Sequence, residues 1–490
     1  MFESAEQVQS IDKAAFKAEE PKLREALLDA QFDLMESKGF AVLVILAGID
    51  GAGKGEALGR LNEWLDQRHV VNQAFDDRND EERARPRLWR YWLHLPEKGQ
   101  IGVYLGSWYR DVFARRVLEG GDDARLEKDL ATINRLEAML AAENVLLIKL
   151  WLHISVAKQK KRLARIETLP GGGRHIVEYQ MLRQHRRLAL ATIQKGIRMT
   201  SVGEAPWFVI PSADGRYRDL TIGRTLLAAM RQRLDAPPSP ATVTAPAIVP
   251  SDDRMSPLDA LDLTHQRDDA EYKKELRYYQ RRLAELTDAE AFRKTALVCA
   301  FEGNDAAGKG GSIRRVVRAI DPRRYKVHSV AAPTDEEKAR PYLWRFWRRI
   351  PAKGDVAVFD RTWYGRVLVE RIEGFCSDAD WMRAYAEIND FEAQLTGEGI
   401  VLVKFWLAIS KDEQLRRFQA REDTPYKRYK ITEEDWRNRE RWDAYRLAVG
   451  DMIDRTSSEF APWTLVASED KKYGRIKILK TICDRLEKAL

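Results

Sequence analysis

The residues Gly303-Asn-Asp-Ala-Ala-Gly308-Lys309-Gly310 spell G-x-x-x-x-G-K after an apolar run and before a helical pattern. Glycines permit a tight turn, successive backbone N–H groups then face one point, and a helix N-terminus adds favourable potential for an anion. Lys309 would reach phosphate oxygens as a point charge. The pattern therefore predicts a phosphate-cradling P-loop, with Gly303, Gly308 and Gly310 as its backbone. One position departs from the usual pattern. Gly310 stands where Ser or Thr would bind Mg²⁺, so carboxylates elsewhere must hold the metal. Asp305 inside the loop and Asp360 at the end of VAVFD are the candidates, and two hard oxygens facing a phosphate suit Mg²⁺.

Other charges are placed to serve the same chemistry. Arg361 and Arg366 flank Thr362-Trp-Tyr just past a strand end, where ligands sit in open α/β sheets. Phosphoryl transfer asks a protein for positioning and charge stabilisation, with little covalent chemistry, and arginines there would offset charge on the moving group. Arg421, Lys427, Arg428 and Lys430 crowd into ten residues, a basic funnel suited to a polyanion. Trp344 and Trp347 share one helix face in RPYLWRFWRR, a spacing that predicts core packing.

The elements that carry these residues occur twice. GIDGAGKG (48–55) and GNDAAGKG (303–310) lie at one constant offset, which also aligns EERARPRLWRYW (81–92) with EEKARPYLWRFW (336–347). The same offset pairs SWY (107–109) with TWY (362–364), and KLWLHIS (149–155) with KFWLAIS (404–410). Asn389 and Glu392 recur as Asn134 and Glu137, which points to an architectural role. Residues 235–256 hold five prolines among small residues, with a sixth at Pro257, and read as a linker between copies at 1–234 and 257–490. In the second copy TALVCAF (295–301), YKVHSV (325–330), DVAVFD (355–360), GIVLVKFWL (399–407) and WTLVA (463–467) read as strands buried on both faces. Helical patterns such as SIRRVVRAI (312–320) and KDEQLRRFQARE (411–422) separate them, which predicts an α/β fold with a parallel sheet flanked by helices in each copy.

Bulk properties bound this reading. The chain has 490 residues, 44% hydrophobic and 32% charged, with a net charge of +7 and a pI near 9.0. A basic balance fits an anionic ligand, although acids and bases are interspersed. Cys299, Cys376 and Cys483 form no C-x-x-C pair, so neither a disulfide framework nor a zinc site is expected, which fits a reducing cytoplasm. The N-terminus MFESAEQVQSIDKAAF lacks a basic stretch followed by an apolar run, so no signal peptide is expected. No apolar stretch approaches about 18 residues, so no membrane partner is expected.

GNDAAGKGG, FDRTWYGR and REDTPYKRYKITEEDW together resemble the polyphosphate kinase 2 family, and the resemblance covers nearly all of the second copy. It implies a thymidylate-kinase-like fold with a helical lid, and transfer of a terminal phosphoryl group from inorganic polyphosphate to a nucleotide with Mg²⁺. The duplicated architecture is similar to that of the family's two-domain members, which implies AMP as acceptor and catalysis confined to the C-terminal copy. Family roles carry over to Asp305, Lys309, Asp360 and Arg361, and in the lid to Arg421, Lys427 and Lys430. The lid motif usually has Ser where this chain has Thr432, which keeps the hydroxyl. Assembly as a homodimer is expected, and nucleic acid is not expected as a partner.

The first copy lacks much of this set. Asp360 falls on Leu105, Arg361 on Gly106, Arg421 on Ile166 and Asp423 on Thr168, and TLPGGGRHIVEY replaces the basic lid. Gly48, Asp50, Gly53 and Lys54 remain, so this copy keeps a phosphate cradle without the groups needed for transfer. Two other readings compete. An ATP-dependent small-molecule kinase would share the P-loop, but the missing Ser/Thr and the basic lid argue against it. A non-enzymatic polyanion or nucleic-acid binder fits the net charge, but Asp305 and Asp360 would repel a polyanion unless a metal intervenes.

Overall fold

A computed structural model of the chain describes residues 2–7, 9–167, 177–236, 256–425 and 431–490. The chain divides into two compact units. Met1–Arg78, Arg90–Ser239 and Pro333–Trp344 build unit 1, and Asn79–Trp89, Pro240–Ala332 and Arg345–Leu490 build unit 2. Each unit thus takes one short segment from the other half of the sequence.

Unit 1 contains strands β1 (Ala41–Gly48), β2 (Val70–Ala74), β3 (Ile101–Leu105), β4 (Val145–His153) and β5 (Trp207–Pro211). They form one parallel sheet in the order β2-β3-β1-β4-β5. Unit 2 repeats it with β6 (Ala296–Gly303), β7 (Tyr325–Ser329), β8 (Val356–Asp360), β9 (Ile400–Ala408) and β10 (Trp463–Ala467), ordered β10-β9-β6-β8-β7. Every strand expected in the second copy is present. β6, β8 and β9 are almost wholly buried, as apolar runs covered on both faces should be. β7 differs: it is an edge strand, and its Lys326 and Val327 are exposed.

The helices needed below follow from local signals. In unit 1, α1 (Lys54–Trp64) leaves the first P-loop. In unit 2, α2 (Lys309–Val317) leaves the second, starting and ending three residues before the 312–320 pattern suggested. α3 (Asp378–Gly397) packs beside β9. α4 (Lys411–Glu422) matches its expected span and is capped by Ser410, which accepts from the Glu413 N–H at 3.1 Å. α5 (Glu433–Glu440) begins at a capping box in which Thr432 accepts from the Asp435 N–H and Asp435 accepts from the Thr432 N–H at 2.9 Å. The Ser-to-Thr departure in the lid motif therefore preserves the group that starts this helix. α6 (Trp442–Thr456) and α7 (Lys471–Ala489) complete the set.

The most repeated residues turn out to bolt each unit together. Glu392 on α3 is fully buried and accepts from Trp363 Nε1 (2.9 Å), Tyr364 OH (2.6 Å) and Lys404 Nζ (2.7 Å). Lys404 also donates to the Thr456 carbonyl at 2.8 Å. Unit 1 builds the same network from Glu137, Trp108, Tyr109, Lys149 and Thr200. Asn389 donates to the Arg455 carbonyl as Asn134 does to that of Met199, both at 2.9 Å. Burial alone drives each carboxyl up and each lysine down, and mutual attraction opposes both shifts. Trp347 is core as expected, edge-on to Phe391 at 5.0 Å.

Candidate functional site

β6 lies between β8 and β9, so the chain switches direction across its C-terminal end, where an open parallel sheet leaves a crevice. The P-loop fills that point. Gly303 has φ 147°, and a Cβ there would lie 2.4 Å from the Leu407 carbonyl oxygen, so only glycine lets the loop leave β6 against β9. Gly308 caps α2 in the left-handed region at φ 108°. A Cβ on Gly310 would meet nothing within 4 Å, so the missing Ser/Thr is not a matter of space. Lys309 folds onto the loop, donating to the Gly303 carbonyl at 2.5 Å.

Side chains from α4 hold the loop's shape. Arg417 donates to the carbonyls of Ala306 (3.0 Å), Ala307 (3.1 Å), Ser468 (2.7 Å) and Glu469 (2.8 Å). Gln414 donates to the Asp305 carbonyl at 3.2 Å. Unit 1 keeps both braces, with Arg162 on Gly51, Ser212 and Ala213 and Gln159 on Asp50. Its cradle therefore survives as a shape. It is crowded, however, by buried Arg218: a Cβ on Gly53 would fall 1.8 Å from that guanidinium.

Asp305, Arg361 and the lid meet in a cleft of about 640 Å³ in unit 2. Arg361 lies 3.5 Å from Asp305 Oδ1 and donates to Glu434 at 3.0 Å. Burial opposes its charge, but Asp305 and Glu434 outweigh that and hold its pKa above the ordinary value. Asn438, one turn after Glu434 on α5, donates to Asp305 Oδ2 at 2.9 Å and accepts from Tyr445 OH at 2.9 Å. Arg361 adopts φ 63°, a left-handed conformation costly to any residue with a Cβ, and at the matching position unit 1 has Gly106 at φ 86°. Ala306, at φ 65°, likewise matches Gly51 at φ 78°. Unit 2 holds side chains in strained backbone where unit 1 has relaxed to glycine, a pattern found where strain serves a site.

The other expected site residues fall in different places. Asp360 ends β8 opposite Phe301, half-buried, and does not line the cleft that holds Asp305. Arg366 stands on a short helical turn and pairs with Glu370 at 2.8 Å, also away from the cleft lining. Arg421 closes α4, where burial lowers its pKa against the pull of Asp435 and Asp305. Lys427 and Lys430 lie outside the described residues.

Sequence reasoning did not single out Glu302, Glu434, Asn438 or Tyr445, all of which line the cleft. Glu302 had a signal: an acid at the end of an apolar strand beside the P-loop, aligned with Ala47 in the first copy. It is 6% exposed, accepts from Thr362 Oγ1 at 2.7 Å, and burial raises its pKa against the pull of Lys309. Glu434 lies within the REDTPYKRYKITEEDW motif without having been singled out there, and Asn438 and Tyr445, farther along the chain, carried no signal.

The donor set suits a hard divalent cation. Asp305, in the loop after β6, and Asp360, at the end of neighbouring β8, carry carboxylate oxygens, the hard donors that Mg²⁺ takes. Among the described residues no group of three or more His, Cys, Asp or Glu is placed to hold a metal ion.

A parallel sheet whose central strand ends in a braced P-loop, under a helix that carries an acid and an amide to that loop, defines a P-loop kinase. Comparison with known proteins narrows the class. The chain belongs to the polyphosphate kinase 2 family, whose model matches residues 10–237 and 266–490. It is 50% identical over 495 aligned residues to a polyphosphate:AMP phosphotransferase of Pseudomonas aeruginosa, covering 100% of this chain and 99% of that one. A polyphosphate:AMP phosphotransferase of Acinetobacter johnsonii is 38% identical, with 96% of each chain covered. A crystal structure of a polyphosphate kinase 2 from Pseudomonas aeruginosa superposes with a TM-score of 0.89 at 49% identity, covering 100% of this chain and 99% of that one.

Proposed function

We propose that the protein transfers the terminal phosphoryl group of inorganic polyphosphate to AMP, giving ADP and a chain one unit shorter, in the second copy of its domain. A phosphate oxygen of AMP attacks the terminal phosphorus in line. The P–O bond to the rest of the chain breaks as the new one forms. The attacking oxygen is already anionic, so no general base is needed. The P-loop N–H groups and Lys309 hold the donor's terminal phosphates once Lys309 leaves its carbonyl partners. Arg361, presented from its strained backbone, exchanges Glu434 and Asp305 for the oxygens of the moving group, where its charge counts most in the transition state. Arg421 adds charge from the lid side. Mg²⁺, held by Asp305 and Asp360 when bound, would neutralise charge on the phosphoryl oxygens.

The observation that carries this reading is the contrast between the units. Both keep the braced loop and its aspartate, Asp305 or Asp50, but where unit 2 has Asp360 and Arg361 unit 1 has Leu105 and Gly106. Unit 1 thus has neither the arginine nor the carboxylate at those two positions, which supports a structural or regulatory role for it. Free Cys299, Cys376 and Cys483 support work in the reducing cytoplasm, and no helix among the described residues is long and apolar enough to cross a membrane. A homodimer is the proposed assembly, to be checked by light scattering. The deciding experiment incubates the protein with Mg²⁺, polyphosphate and either AMP or ADP, and separates the products. ADP formed from AMP without ATP supports the proposal; phosphorylation only when ATP is supplied refutes it.

A further inference from the structure

We propose that Glu373 is a positioning residue for phosphoryl transfer: with Arg437 and Arg441 it clamps the lid helix α5, so that Glu434 and Asn438 stay on Arg361 and Asp305. The inference rests on the function proposed above. Glu373 itself does not line the cleft around Asp305.

Glu434, Arg437, Asn438 and Arg441 follow one another three or four residues apart and so share one face of α5. The segment 361–373 grips that face at both ends, with opposite charges. Arg361, at its start, donates to Glu434. Glu373, at its end, pairs with Arg437 Nε at 3.2 Å and Arg441 Nη1 at 3.4 Å. Arg441 also donates to the Ile372 carbonyl at 2.7 Å. The Glu373 side chain is 7% exposed, so water competes little for it, although both arginines are half-exposed. The mount of the clamp is fixed as well. Glu373 ends the short helix Val369–Glu373, and Arg371 within that helix donates to Asp451 on α6 at 2.8 Å and to the Tyr385 hydroxyl on α3 at 3.1 Å. The charge of Glu373 is felt inside the cleft. Burial and the charges of Glu373, Asp305 and Glu434, against Arg361, hold the Tyr445 hydroxyl well above its ordinary pKa, and it donates to Asn438.

The first copy shows that the fold does not require this clamp. Arg361 falls on Gly106 and Glu373 on Leu118, which is exposed. The register is secure across this stretch: Ser377, which caps α3, falls on Asp122, which caps the matching helix Asp123–Ala142. The clamp is therefore present in the copy that carries the transfer groups and missing from the copy that lacks them. Held by it, α5 keeps the Asn438 amide on Asp305 Oδ2 while Arg361 faces Oδ1. A looser helix would let both groups turn away, and a shift of about 1 Å in such groups is costly to transfer.

The test uses the full-length protein. Glu373→Gln keeps the size of the side chain and removes its charge. Amide hydrogen exchange across residues 433–440, measured without substrate, should speed roughly tenfold, while exchange in β6 and β9 stays as in the wild type. The kcat for AMP phosphorylation should fall roughly tenfold and the KM for AMP should move less than threefold, the pattern of a lost positioning contact. Arg437→Gln with Arg441→Gln should reproduce both changes. Adding Glu373→Gln to that pair should cost little more, since the same contact is already gone. Exchange at the wild-type rate in Glu373→Gln overturns the proposal. So does faster exchange with unaltered kcat, or a kcat loss that simply adds in the triple variant. Faster exchange throughout unit 2 with a lower melting temperature also overturns it, since Glu373 would then be structural only. A wild type in which the clamp governs exchange of α5 but which does not phosphorylate AMP would overturn the proposed function and leave the clamp standing.

Discussion

Arg361 shows how much one residue's backbone can say. Its left-handed φ costs about 1 kcal/mol or more in an L-residue, and the first copy avoids that cost with Gly106. The Arg361→Gly variant should therefore fold with stability within about 1 kcal/mol of the wild type, since relief of strain offsets two partly exposed ion pairs. Its turnover should fall about a thousandfold, as expected when a cation acting on the transferring group is removed. Thermal melting and initial rates on the same preparation check both halves; a melting temperature well below wild type would mean that Arg361 is structural. Asp360→Asn should likewise melt normally and lose turnover. Rates near wild type in that variant would remove Asp360 from the metal site.

At the scale of elements, the buried Glu392–Lys404 pair joins α3 to β9, and with Trp363 and Tyr364 it fixes the stretch that follows Arg361. Breaking one half of a buried pair leaves an uncompensated charge, so Glu392→Leu should cost about 3–5 kcal/mol in chemical denaturation. Adding Lys404→Met should recover most of that loss, because the desolvation cost then disappears from both partners. A double variant as unstable as the single would show that the network's other hydrogen bonds matter more. The edge strand β7 supplies a pH effect. His328 packs against Phe359 at 5.1 Å, and burial, with Arg349 and Lys326 nearby, pushes its pKa down to about 4 from an ordinary 6.5. Above pH 6.5 it is neutral folded or unfolded, and its contribution is fully present. Below that the unfolded chain takes up a proton that the folded chain resists, so stability drains as pH falls towards 4, by at most roughly 3 kcal/mol. Denaturation midpoints across this range should lose that part of their slope in His328→Gln; an unaltered slope would assign it to other groups.

At the scale of the whole molecule, the two compact units do not coincide with the two sequence repeats. Within unit 2, Arg85 from the segment Asn79–Trp89 donates to the Ile350 carbonyl at 3.2 Å, and Arg87 pairs with Glu398 at 2.5 Å. A fragment of residues 257–490 contains every proposed catalytic group but lacks that segment. It should phosphorylate AMP while melting below the full-length protein, and residues 1–234 should show no activity. In the intact chain, Lys54→Ala should leave turnover near wild type whereas Lys309→Ala abolishes it. Activity in the N-terminal fragment, or strong loss in Lys54→Ala, would refute an inert first copy.

Sequence alone determined the duplication, the parallel α/β fold and the P-loop, because each rests on local spacing: glycines for a turn, a lysine at its end, apolar runs for buried strands. It also exposed what the first copy lacks, since a missing arginine or aspartate is visible without coordinates. Tertiary structure decided the rest. That Glu434 and Asn438 face Arg361 and Asp305 depends on α5 folding back across 73 and 133 residues of chain, and no local pattern encodes that approach. That Asn79–Trp89 belongs with the second repeat depends on which surface the segment packs against. A motif such as TWY looks the same whether it binds substrate or a buried glutamate, and only the position of Glu392 shows that here it does the latter. Side-chain chemistry is local and legible in a sequence, whereas the partner of each charge is set by long-range packing.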